Sequence, residues 1–210
     1  MKLIKLSTRR SLRLKGFDYS KHGFYYVTIC TKHQEFLFGE IVRGKMYSTE
    51  GGLIVIKCWN SIPDHYPQVR LQEFTLMPNH IHGILEIMDT ENFHDDNAFE
   101  NPTRIVEKFG RAQDVEPLPN SQRFEYYKNK SLWPKRNEFQ HIIPGSLGSI
   151  IRGFEIGVTK WFRQNTNVRD VWQRNFNESI IRTERSYHRI LKYIRNNQKN
   201  WTRDRFYKKK

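Results

Sequence analysis

Cysteine is nearly absent from this chain. Cys30 and Cys58 are the two in 210 residues, and no CxxC spacing occurs. That leaves no basis for a disulfide framework, and Cys30, in a strand-like run, reads as a small buried hydrophobe. Apolar runs of membrane-spanning length are also missing. The opening Met1-Lys2-Leu3-Ile4-Lys5-Leu6 is too short and too interrupted by lysine for a secretory segment. These absences set the expectation of a cytoplasmic, nucleoid-associated protein in a reducing compartment, with no membrane partner. Acidic residues are in deficit: 22 Asp and Glu face 36 Lys and Arg, a formal net charge of +14. Such a balance calls for an anionic partner, and 14% aromatic residues suit one whose bases can be stacked. Charge alone says polyanion and no more, since a ribosomal or membrane-surface protein is basic too. The length suits one substantial core with an insertion.

What is present is unevenly distributed. Residues 1–22 hold Lys2, Lys5, Arg9, Arg10, Arg13, Lys15 and Lys21 against Asp18, either a solvated tail or a basic arm laid along phosphates. Phe24 to Cys30 is β-branched and aromatic and reads as a central strand. Phe36 to Val42 reads as a second strand turning at Arg43-Gly44-Lys45. Leu53, Ile56, Trp59 and Ile62 recur at helical spacing, ended by Pro63. Two strands, about 69–77 and 80–88, then flank Pro78-Asn79 as a tight hairpin. From Asp89 to Gly145 periodicity is lost. Ten acids and eight bases give this stretch a charge of −2, leaving +16 on the remainder. It is expected to be an insertion, with a short helix near Thr103–Lys108 as the alternative. Leu147 to Phe162 is a long amphipathic helix whose Gly153 and Gly157 suggest close packing against a sheet. Residues 171–181 read as a strand, and Thr183-Glu184 opens a last helix to about Lys199. The expected domains are a basic arm over 1–22, one domain over 23–200 interrupted by 89–145, and a basic, aromatic tail over 201–210. The expected fold is α+β, a ferredoxin-like two-layer sandwich whose antiparallel-rich sheet carries its helices on one side.

The chemistry concentrates in two places. In His80-Ile81-His82, the two-residue period of a strand puts both imidazoles on one face and Ile81 on the other. Two imidazoles at that spacing are half of a divalent-metal site. On the last helix Tyr193 and Asn197 are four apart and so neighbours, beside a stripe formed by Tyr187, Ile190, Leu191 and Ile194. If that margin meets the histidine strand, two imidazoles, an amide oxygen and a phenol converge. Mg²⁺ or Mn²⁺ held there stabilises charge on a phosphodiester, while the phenol attacks to form a covalent phosphotyrosine. Taken singly each residue has a plainer reading: strand polarity for the histidines, packing for Tyr193, a helix end for Asn197. Tyr187 is the rival nucleophile, but its i+4 neighbour is Leu191, which binds no metal. His188 points away from the Tyr193 side.

Met77-Pro-Asn-His-Ile-His82 resembles the His-hydrophobe-His signature of single-tyrosine DNA transposases, and more closely that of the REP-associated tyrosine transposases. The blocks Arg9–Gly16 through Tyr26–Thr31, Gly145–Ile151, Val171–Asn175 and Tyr193-Ile194-Arg195-Asn196-Asn197 are similar as well, nearly the whole chain outside 89–145. One departure is Gln198, where that family commonly continues with Asn-Pro. The resemblance implies Tyr193 as nucleophile and His80, His82 and Asn197 as metal ligands. It implies single-stranded DNA with a palindromic hairpin and a guide tetranucleotide as substrate, acted on by a monomer or homodimer. Arg9, Arg10, Arg13, Lys15 and Arg174 are the expected backbone contacts. Two other classes compete: a non-catalytic nucleic-acid-binding module of ferredoxin-like fold, though the RRM aromatic-glycine signature is absent, and a metallohydrolase in which water attacks.

Overall fold

The computed structural model describes residues 17–88 and 143–208. Arg9, Arg10, Arg13 and Lys15, the Thr103–Lys108 segment and all but the last three residues of 89–145 lie outside the described residues.

Strand β1 (Gly23–Cys30) is central because both its faces are needed. Tyr25, Val27 and Ile29 are fully buried on one side, and Phe24, Tyr26 and Thr28 line the other. It pairs antiparallel with β5 (His80–Ile87) and with β6 (Asn177–Ile181), and β5 pairs antiparallel with β4 (Val69–Met77). The sheet order is β4-β5-β1-β6. With helix α1 (Glu50–Asn60) between β1 and β4, and α3 (Leu147–Asn165) between β5 and β6, this is the twice-split βαβ arrangement of a ferredoxin-like fold.

Thr49 caps α1 by accepting from the Gly52 N–H, so the helix begins a turn earlier than the apolar spacing indicates. Pro63 does not end that helix. The break falls at Ser61, and Pro63 sits in the first turn of α2 (Ile62–His65), where its missing N–H is harmless. Ser146 caps α3, whose Leu147, Ile150, Ile151, Phe154, Val158 and Phe162 bury against the Tyr25/Val27/Ile29 face. Gly153 and Gly157 serve helix contacts rather than the sheet: a Cβ there would lie 3.0 Å from the Tyr66 hydroxyl and 3.3 Å from Cys58 Sγ.

Two further differences have local causes. The expected second strand is β2 (Gly39–Val42), which pairs with β3 (Lys45–Ser48) in a separate two-stranded sheet. Its two-residue turn has Arg43 at φ 50° and Gly44 at φ 75°, the left-handed pair that hairpin twist requires. Residues 171–181 are not one strand. Trp172 makes a single bridge to Thr31, Asn175 turns the chain at φ 67°, and β6 starts at Asn177.

Helix α4 (Glu184–Asn196) is held at its start by a reciprocal Thr183–Ser186 cap. It packs on the face opposite α1 and α3, where Ile194 meets Ile84 and Ile181 beside Phe24 and Tyr26. The sheet thus carries helices on both faces. The Ile84/Ile181 face is polar toward its β1–β5 end, and the site lies there.

Candidate metal and nucleophile site

The site begins with the alternation of β5. His80 and His82 sit opposite Cys30 and Thr28 of β1, while Ile81 and Gly83 point to the α1/α3 core. Both histidines are fully buried. Gly83 is small for a reason on the far side: a Cβ there would lie 2.3 Å from the Trp59 ring. Each imidazole is oriented through Nδ1. Asn79 Nδ2 donates to the Phe206 carbonyl (2.9 Å) and the Gln34 carbonyl (3.3 Å), which commits Asn79 Oδ1 to accept from His80 Nδ1–H at 2.8 Å. His80 Nε2 is therefore a bare lone pair. His82 Nδ1 is flanked by the hydroxyls of Tyr26 (2.8 Å) and Thr28 (2.9 Å), either of which can accept or donate. The two Nε2 atoms face each other at 3.1 Å. They can share one proton, with His82 donating. With His82 in its Nδ1–H form they present two lone pairs to one ion, at the separation that nitrogen–metal bonds of about 2.0–2.1 Å allow.

Helix α4 brings the phenol. Tyr193 Oη lies 3.3 Å from His82 Nε2 and donates to Asp204 Oδ2 at 3.2 Å, with 44% of the residue left open to solvent. Asn197, the C-cap residue of α4, is buried. Its Nδ2 donates to Asp204 Oδ2 at 3.2 Å, and its Oδ1 is buried with no hydrogen-bond partner. A buried amide oxygen without a partner is costly, and a cation would satisfy it. Four hydrogen bonds hold α4 and the residues just after it to the sheet: Tyr187 Oη to Gln72 Oε1 (3.2 Å), Arg195 Nε to Glu73 Oε2 (2.7 Å), and Gln198 Nε2 to Thr75 Oγ1 and the Leu76 carbonyl (both 3.3 Å).

The sequence reading missed Asp204. The tail after α4 forms a short 3₁₀ turn (Trp201–Arg203) and folds over the histidines, with the Phe206 ring 4.6 Å from His80. Asp204, its side chain 2% exposed, accepts from the Phe206 N–H at 2.7 Å through Oδ1, which also stands 4.0 Å from His80 Nε2. His80, His82 and Asp204 bring ligand atoms within 4.8 Å of one another. The available signal was Asp204's isolation, one acid among the five bases of residues 201–210.

Burial sets the protonation states. It drives the His80 pKa down to about 3, with Arg205 adding to the effect. The His82 pKa also falls well below its usual value, by burial first and His80 second. Both imidazoles are thus neutral at physiological pH, the ligand form. Burial and then the Asp204 carboxylate push the Tyr193 pKa up to about 12.

The structure therefore brings together His80, His82, Tyr193 and Asn197. Tyr187 bonds β4 rather than the site, and His188 is exposed and pairs with Glu184 at 3.5 Å. Arg174 is exposed and lines a different cleft. Over Tyr193 opens a cleft of about 720 Å³ with Arg189, Lys192, Arg203 and Arg205 at its walls. Two neutral imidazole nitrogens with an adjacent carboxylate, an unpartnered amide oxygen and a basic approach suit a divalent cation and a phosphate ester. No helix of the described residues is long and apolar enough to cross a membrane.

No family model matches the chain. An uncharacterised protein of Haemophilus influenzae (strain Rd) is 38% identical over 199 residues, spanning 95% of this chain and 93% of that protein. Among solved structures, a REP-associated tyrosine transposase bound to a REP hairpin aligns over 90% of this chain and 72% of its own, at 13% identity and a TM-score of 0.49. A crystal structure of a Deinococcus radiodurans R1 protein aligns over 88% of this chain and 97% of its own, at 12% identity and a TM-score of 0.40. Neither structural alignment bears on function, which the site's own geometry addresses.

Proposed function

The chain belongs to the family of that Haemophilus influenzae protein, and we propose that it is a tyrosine transposase that nicks and rejoins single-stranded DNA beside a folded hairpin through a 5′-phosphotyrosine. The observation that carries this is the Tyr193 hydroxyl 3.3 Å from His82 Nε2, beside two neutral imidazoles and the unpartnered Asn197 Oδ1. His80 Nε2, His82 Nε2 and Asn197 Oδ1 would hold Mg²⁺ or Mn²⁺, with Asp204 next to them. The bound ion would draw charge from a phosphodiester oxygen. The motif resemblance to REP-associated tyrosine transposases supports a hairpin-bearing single strand as substrate.

The residues divide the work. At neutral pH Tyr193 carries its proton, because burial and Asp204 hold its pKa near 12. Asp204 Oδ2 already accepts the phenol hydrogen bond and stands to take that proton. The Tyr193 Oη–phosphorus bond forms, the phosphorus–O3′ bond breaks, and the departing strand takes a proton to leave as a 3′-hydroxyl. Reversal by another 3′-hydroxyl rejoins a strand without loss of the phosphodiester. In this reading Tyr193 would serve the histidines of its own chain. Arg9, Arg10, Arg13, Lys15 and Arg174 would follow the DNA backbone.

The test is a labelled hairpin oligonucleotide, taken from the DNA flanking the gene, incubated with Mg²⁺ or Mn²⁺ and resolved in SDS. Wild type should form a resistant protein–DNA adduct and Tyr193→Phe none, while the variant retains DNA binding. Cleavage without an adduct, unchanged in the variant, would transfer the attack to water. Binding without cleavage under either ion would leave a binding module.

A further inference from the structure

A second basic cleft, of about 820 Å³, shares no lining residue with the one over Tyr193. It is walled by Lys32, Arg163, Arg169, Arg174 and Lys208, with Asp170 as the acid among them. We propose that this cleft holds the phosphates of the unpaired DNA strand that runs on from the Tyr193 site. The inference rests on the DNA-cutting function proposed above and adds where the strand lies.

Four observations converge on it. The first is uncompensated charge. Asp170 is within 2.6 Å of Lys32 and 3.9 Å of Arg163, and one carboxylate cannot balance five cations. The second is that the arginines are positioned. Arg163 Nε donates to the Arg169 carbonyl at 2.9 Å and Arg169 Nη1 to the Arg163 carbonyl at 3.3 Å, holding two like charges side by side at the end of α3. Lys208 is tied to the His33 carbonyl. Arg174 is exposed, with no hydrogen bond or ion pair among the described residues. Guanidinium groups fixed together with one shared carboxylate beside them are arranged for phosphate oxygens.

The third observation is backbone conformation. Two of the four non-glycine residues at left-handed φ among the described residues line this cleft: His33 (56°) and Gln34 (57°). Such conformations persist where surrounding structure enforces them, and they gather at ligand clamps. The fourth is continuity with the chemistry. The Gln34 carbonyl on the cleft wall and the Phe206 carbonyl of the tail both accept from Asn79, whose Oδ1 orients His80. One amide thus joins this cleft to the histidine pair. A single strand spanning both clefts would place its scissile phosphate at Tyr193 and its flanking phosphates here.

The probe is a fluorescein-labelled 20-nucleotide deoxythymidine strand, titrated by anisotropy at several salt concentrations. Arg174→Glu and the double variant Arg169→Ala/Arg174→Ala are compared with wild type, and with Lys57→Glu on exposed α1 as a charge control. Each lost phosphate contact should flatten the log–log salt slope by roughly 0.7, and affinity at low salt should fall about three- to tenfold. Unchanged affinity and slope in both cleft variants would overturn the proposal, as would an equal loss in Lys57→Glu. A ribo-uridine strand that competes tenfold better than the deoxy strand would overturn DNA as the occupant. Weakened binding by cleft variants of a wild type that forms no adduct would sink the transesterase reading and keep the cleft.

Discussion

The two faces of β5 are built from alternate residues of one strand, and they obey different rules. On one, Ile81, Gly83 and Leu85 meet Trp59, Phe154 and Val158 in a layer with no ionisable group of β5 and little tolerance for change. On the other, His80 and His82 are as deeply buried, yet they hydrogen-bond to Asn79, Tyr26, Thr28 and each other, and an amide oxygen nearby lacks a partner. Equal burial therefore does not mean equal purpose. The first face gains its stability from apolar area removed from water. The second accepts desolvated nitrogens and a desolvated phenol, whose properties then suit chemistry: neutral imidazoles and a hydroxyl that needs a base.

That contrast can be broken by substitution. Trp59→Ala on the apolar face should lower the unfolding free energy by about 3–5 kcal/mol, read from denaturant titration, while the folded fraction still forms adduct. Asn79→Ala on the polar side should act chiefly on the ion. Metal affinity by calorimetry should fall by about 10- to 100-fold as His80 loses its orienting acceptor, with adduct yield recovering at high Mn²⁺. Loss of adduct that no metal concentration restores would show that Asn79 acts other than through the ion. Gly83→Ala forces a methyl toward the Trp59 ring and should lower stability by about 1–3 kcal/mol, unless the ring finds another rotamer. If Gly83→Ala instead removes metal binding and leaves stability intact, the two faces are not independent.

A pH-dependent effect sharpens the comparison from α3. Burial raises the Glu155 pKa from 4.5 to about 7. The folded state therefore keeps its proton where the unfolded state has lost it. Its contribution is present in full below the unfolded value of 4.5 and is lost as pH rises to about 7, at up to about 1.4 kcal/mol per pH unit. Glu155→Gln should flatten wild type's decline in that window, and parallel stability–pH curves for the two proteins would exclude this burial effect.

How much of this was legible in the chain varies by element. The Pro78-Asn79 hairpin was readable because a tight turn and strand alternation are both local, and so was the sharing of one face by His80 and His82. The four-residue spacing of Tyr193 and Asn197 fixed their adjacency on a helix. The break at Asn175 was not readable, because a left-handed residue inside a β-rich run has no composition signal. The side of the sheet taken by α4 was equally hidden. An amphipathic stripe names the face of the helix that is buried and not the face of the sheet that buries it.

The sequence by itself determined the excess of positive charge, the order of the main strands and helices, the imidazole pair and the tyrosine–amide pair. Each depends on composition or on a period of two to four residues. Only the tertiary structure decided that the two pairs meet across α4 and β5, that the tail returns Asp204 and Phe206 to the histidines, and that Arg163, Arg169, Arg174, Lys32 and Lys208 share one cleft. Those contacts join residues separated by about ten to more than 170 positions, and the packing that closes such distances leaves no periodic trace in the chain.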